Sequence, residues 1–195
     1  NDSVYVLNNY TDGENGYLHP SEEVFYISDN YDVTRYDIST GAPVPVMNYP
    51  DVDLYYDIWG YEDGTKIVGG AGNTFRHSSN IQEDLVYSGQ LEPGYRIRSL
   101  IHSTTLGKIY CLMRSDIASS VISKVNVYED DFLNPMDNIY AYSYAVPGIE
   151  GGYNFYPPDC LFVFINSGND KLIVVTQASE GSGLYYDYAI QLINI

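Results

Sequence analysis

Asp57-Ile58-Trp59-Gly60-Tyr61, a turn at Glu62-Asp63-Gly64, and then Lys66-Ile67-Val68-Gly69-Gly70 decide the fold, because the same pattern returns twice. It is echoed by Ile97-Arg98-Ser99-Leu100-Ile101 followed by Lys108-Ile109-Tyr110-Cys111-Leu112. It recurs in residues 160–165 followed by Lys171-Leu172-Ile173-Val174-Val175. Short β-branched or aromatic runs bounded by turn residues read as strands, and Asp-Gly supplies the positive φ of a tight hairpin. A lysine opens each second strand, and a third strand is expected after each pair, over residues 84–91, 122–128 and 184–193.

A more divergent copy occupies the N-terminus, with strands expected over residues 3–7, 23–28, 33–41 and 42–47. Counted at positions 24, 66, 108 and 171, the second strands are spaced by 42, 42 and 63 residues, so the last interval holds an insertion. The insertion falls near residues 148–158, rich in Gly, Pro and Tyr. The expected fold class is all-β: one domain over residues 1–195 made of four blade-sized antiparallel units, 1–50, 51–95, 96–147 and 148–195. That is a propeller-like arrangement, with a β-sandwich as the alternative. Ile139-Tyr140-Ala141-Tyr142-Ser143-Tyr144-Ala145-Val146 alternates with a period of two and reads as a single strand. Ile117, Val121, Ile122 and Val125 are spaced for a short helix within residues 115–125.

Composition narrows the function. Of 195 residues, 26 are Asp or Glu and 9 are Lys or Arg, a formal charge of −17 that repels a phosphate backbone and excludes nucleic acid as a partner. No apolar run approaches the ~20 residues of a membrane helix, so direct membrane insertion is not expected. Beginning at Asn1 without Met, the chain reads as a processed or trimmed product. Asn1-Asp2-Ser3 and Asn9-Tyr10-Thr11 match the glycosylation acceptor pattern, which matters only in a eukaryotic secretory context.

Signs of catalysis are sparse. His19, His77 and His102 are scattered, without metal-ligand spacing or a neighbouring nucleophile motif; only His102, after an apolar strand, suggests a pocket. Gly69-Gly70-Ala71-Gly72 lacks the continuation of a phosphate loop and reads as close strand packing. No catalytic residue is assigned. Asp53 and Asp57, beside an aromatic cluster, are the carboxylates on which a glycan hydrolase or lyase would depend. Acidic stretches at residues 12–15, 29–32 and 129–131 offer oxygen ligands for a structural Ca²⁺, without EF-hand spacing; no cofactor is otherwise expected. Cys111 and Cys160 are either a disulfide or two buried thiols.

Tyrosine carries the remaining signal, with 22 residues. Its ring stacks on a sugar or packs in a protein interface, and its hydroxyl hydrogen-bonds at little rotamer cost. Two clusters are the candidate ligand-binding residues: Tyr55, Tyr56, Trp59 and Tyr61, and the loop-borne set Tyr153, Phe155 and Tyr156 between Gly151-Gly152 and Pro157-Pro158.

Arg35-Tyr36-Asp37-Ile38-Ser39-Thr40-Gly41 resembles the outer strand and turn of many propeller repeats, a hydrophobic-Tyr-Asp-x-x-Thr-Gly pattern. Val4-Tyr5-Val6-Leu7-Asn8-Asn9 is similar to the first inner strand of secreted propeller proteins of Bacteroidota. Such proteins are often outer-surface lipoproteins encoded beside glycan-uptake machinery. The resemblance implies an extracellular, cell-surface or periplasmic location and a glycan or a cell-surface protein assembly as partner. The expectation is a non-catalytic binding module, with the glycan-active enzyme as its alternative.

Overall fold

The computed structural model describes residues 15–28, 32–52, 54–55, 57–115, 121–184 and 187–195. The chain divides into two compact units, residues 1–93 and 94–195. Neither contains, among the described residues, a helix long and apolar enough to cross a membrane.

In the first unit, β1 (Asn15–Leu18), β2 (Val24–Ser28), β3 (Val33–Asp37) and β4 (Val44–Tyr49) form one antiparallel meander. A second is built of β5 (Ile58–Gly60), β6 (Lys66–Gly69), β7 (Asn73–Arg76) and β8 (Val86–Gln90). The turn after β3 is set by its sequence: Asp37 Oδ1 accepts from Ser39 N at 2.8 Å and Ser39 Oγ at 2.6 Å, and Gly41 takes φ 82°. The turn before β6 repeats the device, with Thr65 N and Oγ1 donating to Asp63 Oδ1 at 2.9 and 2.7 Å and Gly64 at φ 76°. Tyr26, Val33, Leu54, Ile58, Ile67 and Phe75 form the core of this unit. Gly69 permits it: a Cβ there would sit 2.5 Å from Leu54 Cα, so β6 and the chain before β5 touch backbone to backbone.

Asn73–Arg76 has no apolar alternation, yet it is strand β7, with Thr74 and Phe75 buried; tertiary packing, not apolar content, decides it. The strand paired with β2 is β1, whereas the one expected at residues 3–7 lies outside the described residues.

In the second unit, β9 (Tyr95–Ser103), β10 (Lys108–Ser115), β11 (Lys124–Glu129) and β12 (Pro135–Tyr140) form a four-stranded sheet. A two-stranded hairpin of β13 (Tyr144–Pro147) and β14 (Tyr153–Tyr156) follows, then a three-stranded sheet of β15 (Pro158–Ile165), β16 (Lys171–Ala178) and β17 (Tyr188–Asn194). Lys66, Lys108 and Lys171 each open the second strand of their hairpin, as the repeat required. The two larger sheets share one core of Tyr110, Leu112, Val125, Val127, Cys160, Val163, Leu172 and Val174. Burying each large aliphatic chain there contributes about 1.5–3 kcal/mol. Val163 N donates to Ser99 Oγ at 3.1 Å, and Cys160 N to Ile122 O at 2.6 Å, so β15 is also bonded to the neighbouring sheet's segment. A bulge between Cys160 and Phe162 re-phases β15, which lets both Cys160 and Val163 face the core.

Residues 139–146 are not one strand. Tyr140 ends β12 and Tyr144 begins β13; between them the Tyr142 backbone is held by a side chain, its N donating to Gln191 Oε1 at 2.6 Å and its O accepting from Gln191 Nε2 at 2.9 Å. Nor does a helix occupy residues 121–125: Ile122 and Val125 are buried, but Val125 belongs to β11, where a β-branched side chain suits the pleat, and residues 116–120 lie outside the described residues. Cys111 and Cys160 are buried thiols rather than a disulfide. Burial, with the Asp159 charge adding to it, pushes the Cys160 thiol up to about 12.

The result is an all-β fold of four-stranded or three-stranded antiparallel meanders, and the hairpin β13–β14 accounts for the long third repeat interval.

Candidate functional site

The insertion near residues 148–158 is a hairpin rather than an open loop, so Tyr153, Phe155 and Tyr156 are strand residues. Register fixes their directions: Pro147 lies opposite Tyr153, Ala145 opposite Phe155, and Tyr144 opposite Tyr156. Tyr153 and Phe155 therefore share one face with Pro147 and Ala145 across from them, while Tyr156 points to the other face. On the first face Tyr153 is 65% exposed and Phe155 71%. On the second, Tyr144 anchors the hairpin, its hydroxyl lying 3.2 Å from Thr176 O and 3.0 Å from Thr176 Oγ1. At the tip, Gly151 and Gly152 take φ 92° and 77°, Gly151 N donates to Gly148 O and Gly148 N to Gly152 O, and Ile149 projects fully exposed. A shallow depression of about 290 Å³ lies between residues 142–144 and Ala189, Ile190 and Gln191, at the foot of the hairpin.

This platform can stack and can offer one phenolic hydroxyl; Phe155 and Ala145 bring no proton-transferring group to it.

The other expected cluster does not form one exposed surface. Tyr61 is buried, its backbone O accepting from Tyr17 Oη at 3.2 Å and its ring lying 5.2 Å from Lys66 Nζ. Trp59 is half-buried on β5 opposite Val68, and Tyr55 is half-buried at φ 54°. Tyr56 and Asp53 lie outside the described residues; Asp57 Oδ1 accepts from Asn15 Nδ2 at 2.7 Å.

A third constellation, which sequence reasoning missed, is buried within the first unit. Asp84 Oδ2 accepts from Arg35 Nη1 at 2.6 Å, Tyr26 Oη at 2.7 Å and Tyr49 Oη at 3.2 Å, and its Oδ1 accepts from Ser78 N at 2.9 Å. Tyr26 has one phenolic proton, which goes to Asp84, so the 2.7 Å contact between Tyr26 Oη and His77 Nδ1 makes His77 the donor there. Burial, reinforced by the tilted His19 ring 4.0 Å away, lowers the His77 pKa and favours its neutral form. Burial, with the Asp84 carboxylate beside them, raises the phenols of Tyr26 and Tyr49, the latter to about 12. The network ties β2, β3 and β4 to the segment between β7 and β8, and reads as a staple between sheets. Arg35, on the same side of the pleat as the buried Val33, was the one signal of it in the sequence.

His102 is likewise buried, its Nε2 lying 3.1 Å from Asp130 Oδ2. That contact engages part of the acidic stretch 129–131, while residues 12–14 and 29–31 lie outside the described residues. Among the described residues no group of three or more His, Cys, Asp or Glu is arranged to hold a metal.

No protein-family model and no curated protein matches the chain. Among solved structures it is similar to "Structure of U3-55K", with a TM-score of 0.55 at 9% identity over 89% of this chain and 63% of that one. It is also similar to "Crystal structure of RRP9 WD40 repeats", with a TM-score of 0.55 at 9% identity over 89% of this chain and 62% of that one. The chain thus spans under two thirds of the length of either structure. At this identity the likeness speaks for the fold alone: a propeller-like chain of antiparallel sheet repeats, related in architecture to WD40 β-propellers.

Proposed function

We propose that this chain is a non-catalytic binding module that engages a partner protein through the exposed face of hairpin β13–β14. The observation that carries the reading is the pairing of Tyr153 and Phe155 on one face, 65% and 71% exposed, with only Ala145 and Pro147 opposite them. A rigid, aromatic, uncharged platform on a paired hairpin resembles the anchor of a protein interface, where Tyr and Phe concentrate. A glycan is the second reading, because Tyr153 sets a hydroxyl beside a ring face on which a sugar would stack. The resemblance of residues 4–9 to the first inner strand of secreted propeller proteins of Bacteroidota supports placing the module at the cell surface, as a lipoprotein or in an extracellular assembly. The hydrolase or lyase alternative is supported only by Asp57, half-buried and bonded to Asn15.

The test compares the wild type with a Tyr153→Ala/Phe155→Ala double variant in affinity capture from cell-surface extracts and on a polysaccharide panel. Both side chains are exposed, so the thermal midpoint should not move. Loss of a specific protein partner in the double variant supports the reading, and loss of a polysaccharide instead selects the glycan. Equal capture by both proteins overturns the site, and turnover of a polysaccharide abolished by Asp57→Asn overturns the non-catalytic reading.

A further inference from the structure

The sheet β15–β16–β17 has two apolar faces and uses one. Val163, Leu172, Val174 and Ile193 point into the core of the second unit. The register places the alternate residues in cross-strand rows on the other face: Lys171 and Asn194; Phe164, Ile173 and Leu192; Phe162, Val175 and Ile190; then Asp159, Gln177 and Tyr188. The two central rows carry no charge; Lys171 lies at one end of the face and Asp159, ion-paired with Arg98, at the other. The rings of Phe162 and Phe164 are stacked, with centroids 6.4 Å apart and planes at 23°. Five of the side chains, Phe162, Phe164, Tyr188, Ile190 and Leu192, are between 48% and 70% exposed.

Alternation on β16 shows how far this departs from an ordinary outer sheet face. A solvated face carries polar side chains at every second position; here those positions are Lys171, Ile173, Val175 and Gln177, polar only at the two ends. At roughly 200 Å² per large side chain, the five exposed residues offer about 600 Å² of mostly apolar surface, the upper end of what a monomer shows. With the half-buried Ile173 and Val175 the face approaches the ~800 Å² per partner of a stable interface.

We propose that a second copy of this chain covers the face, as a symmetric dimer in which two β15–β17 sheets pack face to face. Area is the first reason. Charge is the second: the two central rows carry none, so a two-fold axis through them brings no like charges together even in a chain of net charge −17. The acids are concentrated elsewhere in the sequence: residues 1–93 carry 16 acids against 3 bases, residues 94–195 only 10 against 6. A basic partner, by contrast, would find on these rows only the Asp159 carboxylate, which is already paired with Arg98 Nη1 at 2.9 Å. Two twisted sheets presenting Phe, Ile, Val and Leu pack about 10 Å apart with strands roughly 30° from alignment, as in a sandwich core.

This surface is distinct from the platform of Tyr153 and Phe155, and the two proposals fail separately. Sedimentation equilibrium across micromolar concentrations should show a monomer–dimer equilibrium that tightens severalfold as salt rises, because screening relieves the net repulsion of two acidic chains. Ile190→Lys should weaken the dimer by about 100-fold or more, since the two-fold axis introduces the charge twice into a desolvated centre. Leu192→Lys serves as the second variant; both sites are exposed, so circular dichroism and the thermal midpoint should stay near wild type. Val175→Cys, near the middle of the face, should oxidise to a covalent dimer, whereas Tyr153→Ala should leave dimerisation unchanged. A monomer at every concentration, a dimer indifferent to both lysine variants, or one that salt dissociates would overturn the proposal.

Discussion

Replacing Asp84 by Asn tests whether the buried network is a staple. Asparagine keeps the shape and one acceptor oxygen but removes the charge, leaving the Arg35 guanidinium, at 6% exposure, without its counter-ion. Removing one partner of a buried pair costs about 3–5 kcal/mol, because the other charge stays desolvated and uncompensated. The bond from Arg35 Nη1 to Ser78 O at 2.8 Å softens the loss, so the lower half of that range is expected. Even ~3 kcal/mol is a large share of a stability of about 5–15 kcal/mol. Urea unfolding followed by Trp59 fluorescence reads it directly: Trp59 is the chain's single Trp and lies in the same unit, so the signal reports that unit's transition. Arg35→Met in the Asp84→Asn background removes the stranded charge and should recover about 2 kcal/mol as coupling energy. If Asp84→Asn cost under ~1 kcal/mol, the range of an exposed pair, or if the two substitutions were additive, the network would not be holding the sheets together.

The same network sets a pH window. The unfolded His77 takes up a proton near the ordinary histidine value of 6.5 while the folded one resists it, so stability is full above that pH and falls as pH drops below it. The phenols act at the other end: unfolded Tyr17 and Tyr49 ionise near 10 but are held to about 12 when folded, so stability falls as pH rises above 10. Urea midpoints measured from pH 5 to 11 should show the plateau between about 6.5 and 10, and His77→Gln should flatten the limb between about 5 and 6.5; an unchanged limb would clear His77 of the effect. Both cysteines are buried, so a thiol reagent at neutral pH should label neither in the folded chain and both in urea; rapid native labelling of Cys160 would contradict its burial.

The repeat was legible because each second strand carries a local signature, a lysine and then an apolar run, and Lys66, Lys108 and Lys171 all open strands. Strand β7 escaped because Asn73-Thr74-Phe75-Arg76 has no apolar alternation; Thr74 is buried as a partner within the sheet, which only the tertiary fold reveals. The misread strand at residues 139–146 shows the opposite failure. Alternation persists through residues 141–143 although the chain leaves one ladder there and enters another, since side-chain period carries no record of which backbone partner is present. Of the candidate site, Tyr153 and Phe155 share a face as alternate residues must, while the separation of Tyr156 followed from a pairing that a loop assignment hid. The buried network was out of reach for a simpler reason: Asp84 lies 49 residues from Arg35 and 58 from Tyr26, and no spacing rule links them.

Among the described residues, hairpin β13–β14 hydrogen-bonds as a sheet only to itself and is moored through Tyr144 and the Gln191 amide. Its exposed residues Tyr153 and Phe155 and its glycine tip take no part in the ladders of the larger sheets among the described residues. Its length and outward residues can therefore be exchanged while the moorings stay, and if the hairpin is the recognition element proposed above, a grafted hairpin keeping Tyr144 and the contact to Gln191 is where its recognition would be redesigned.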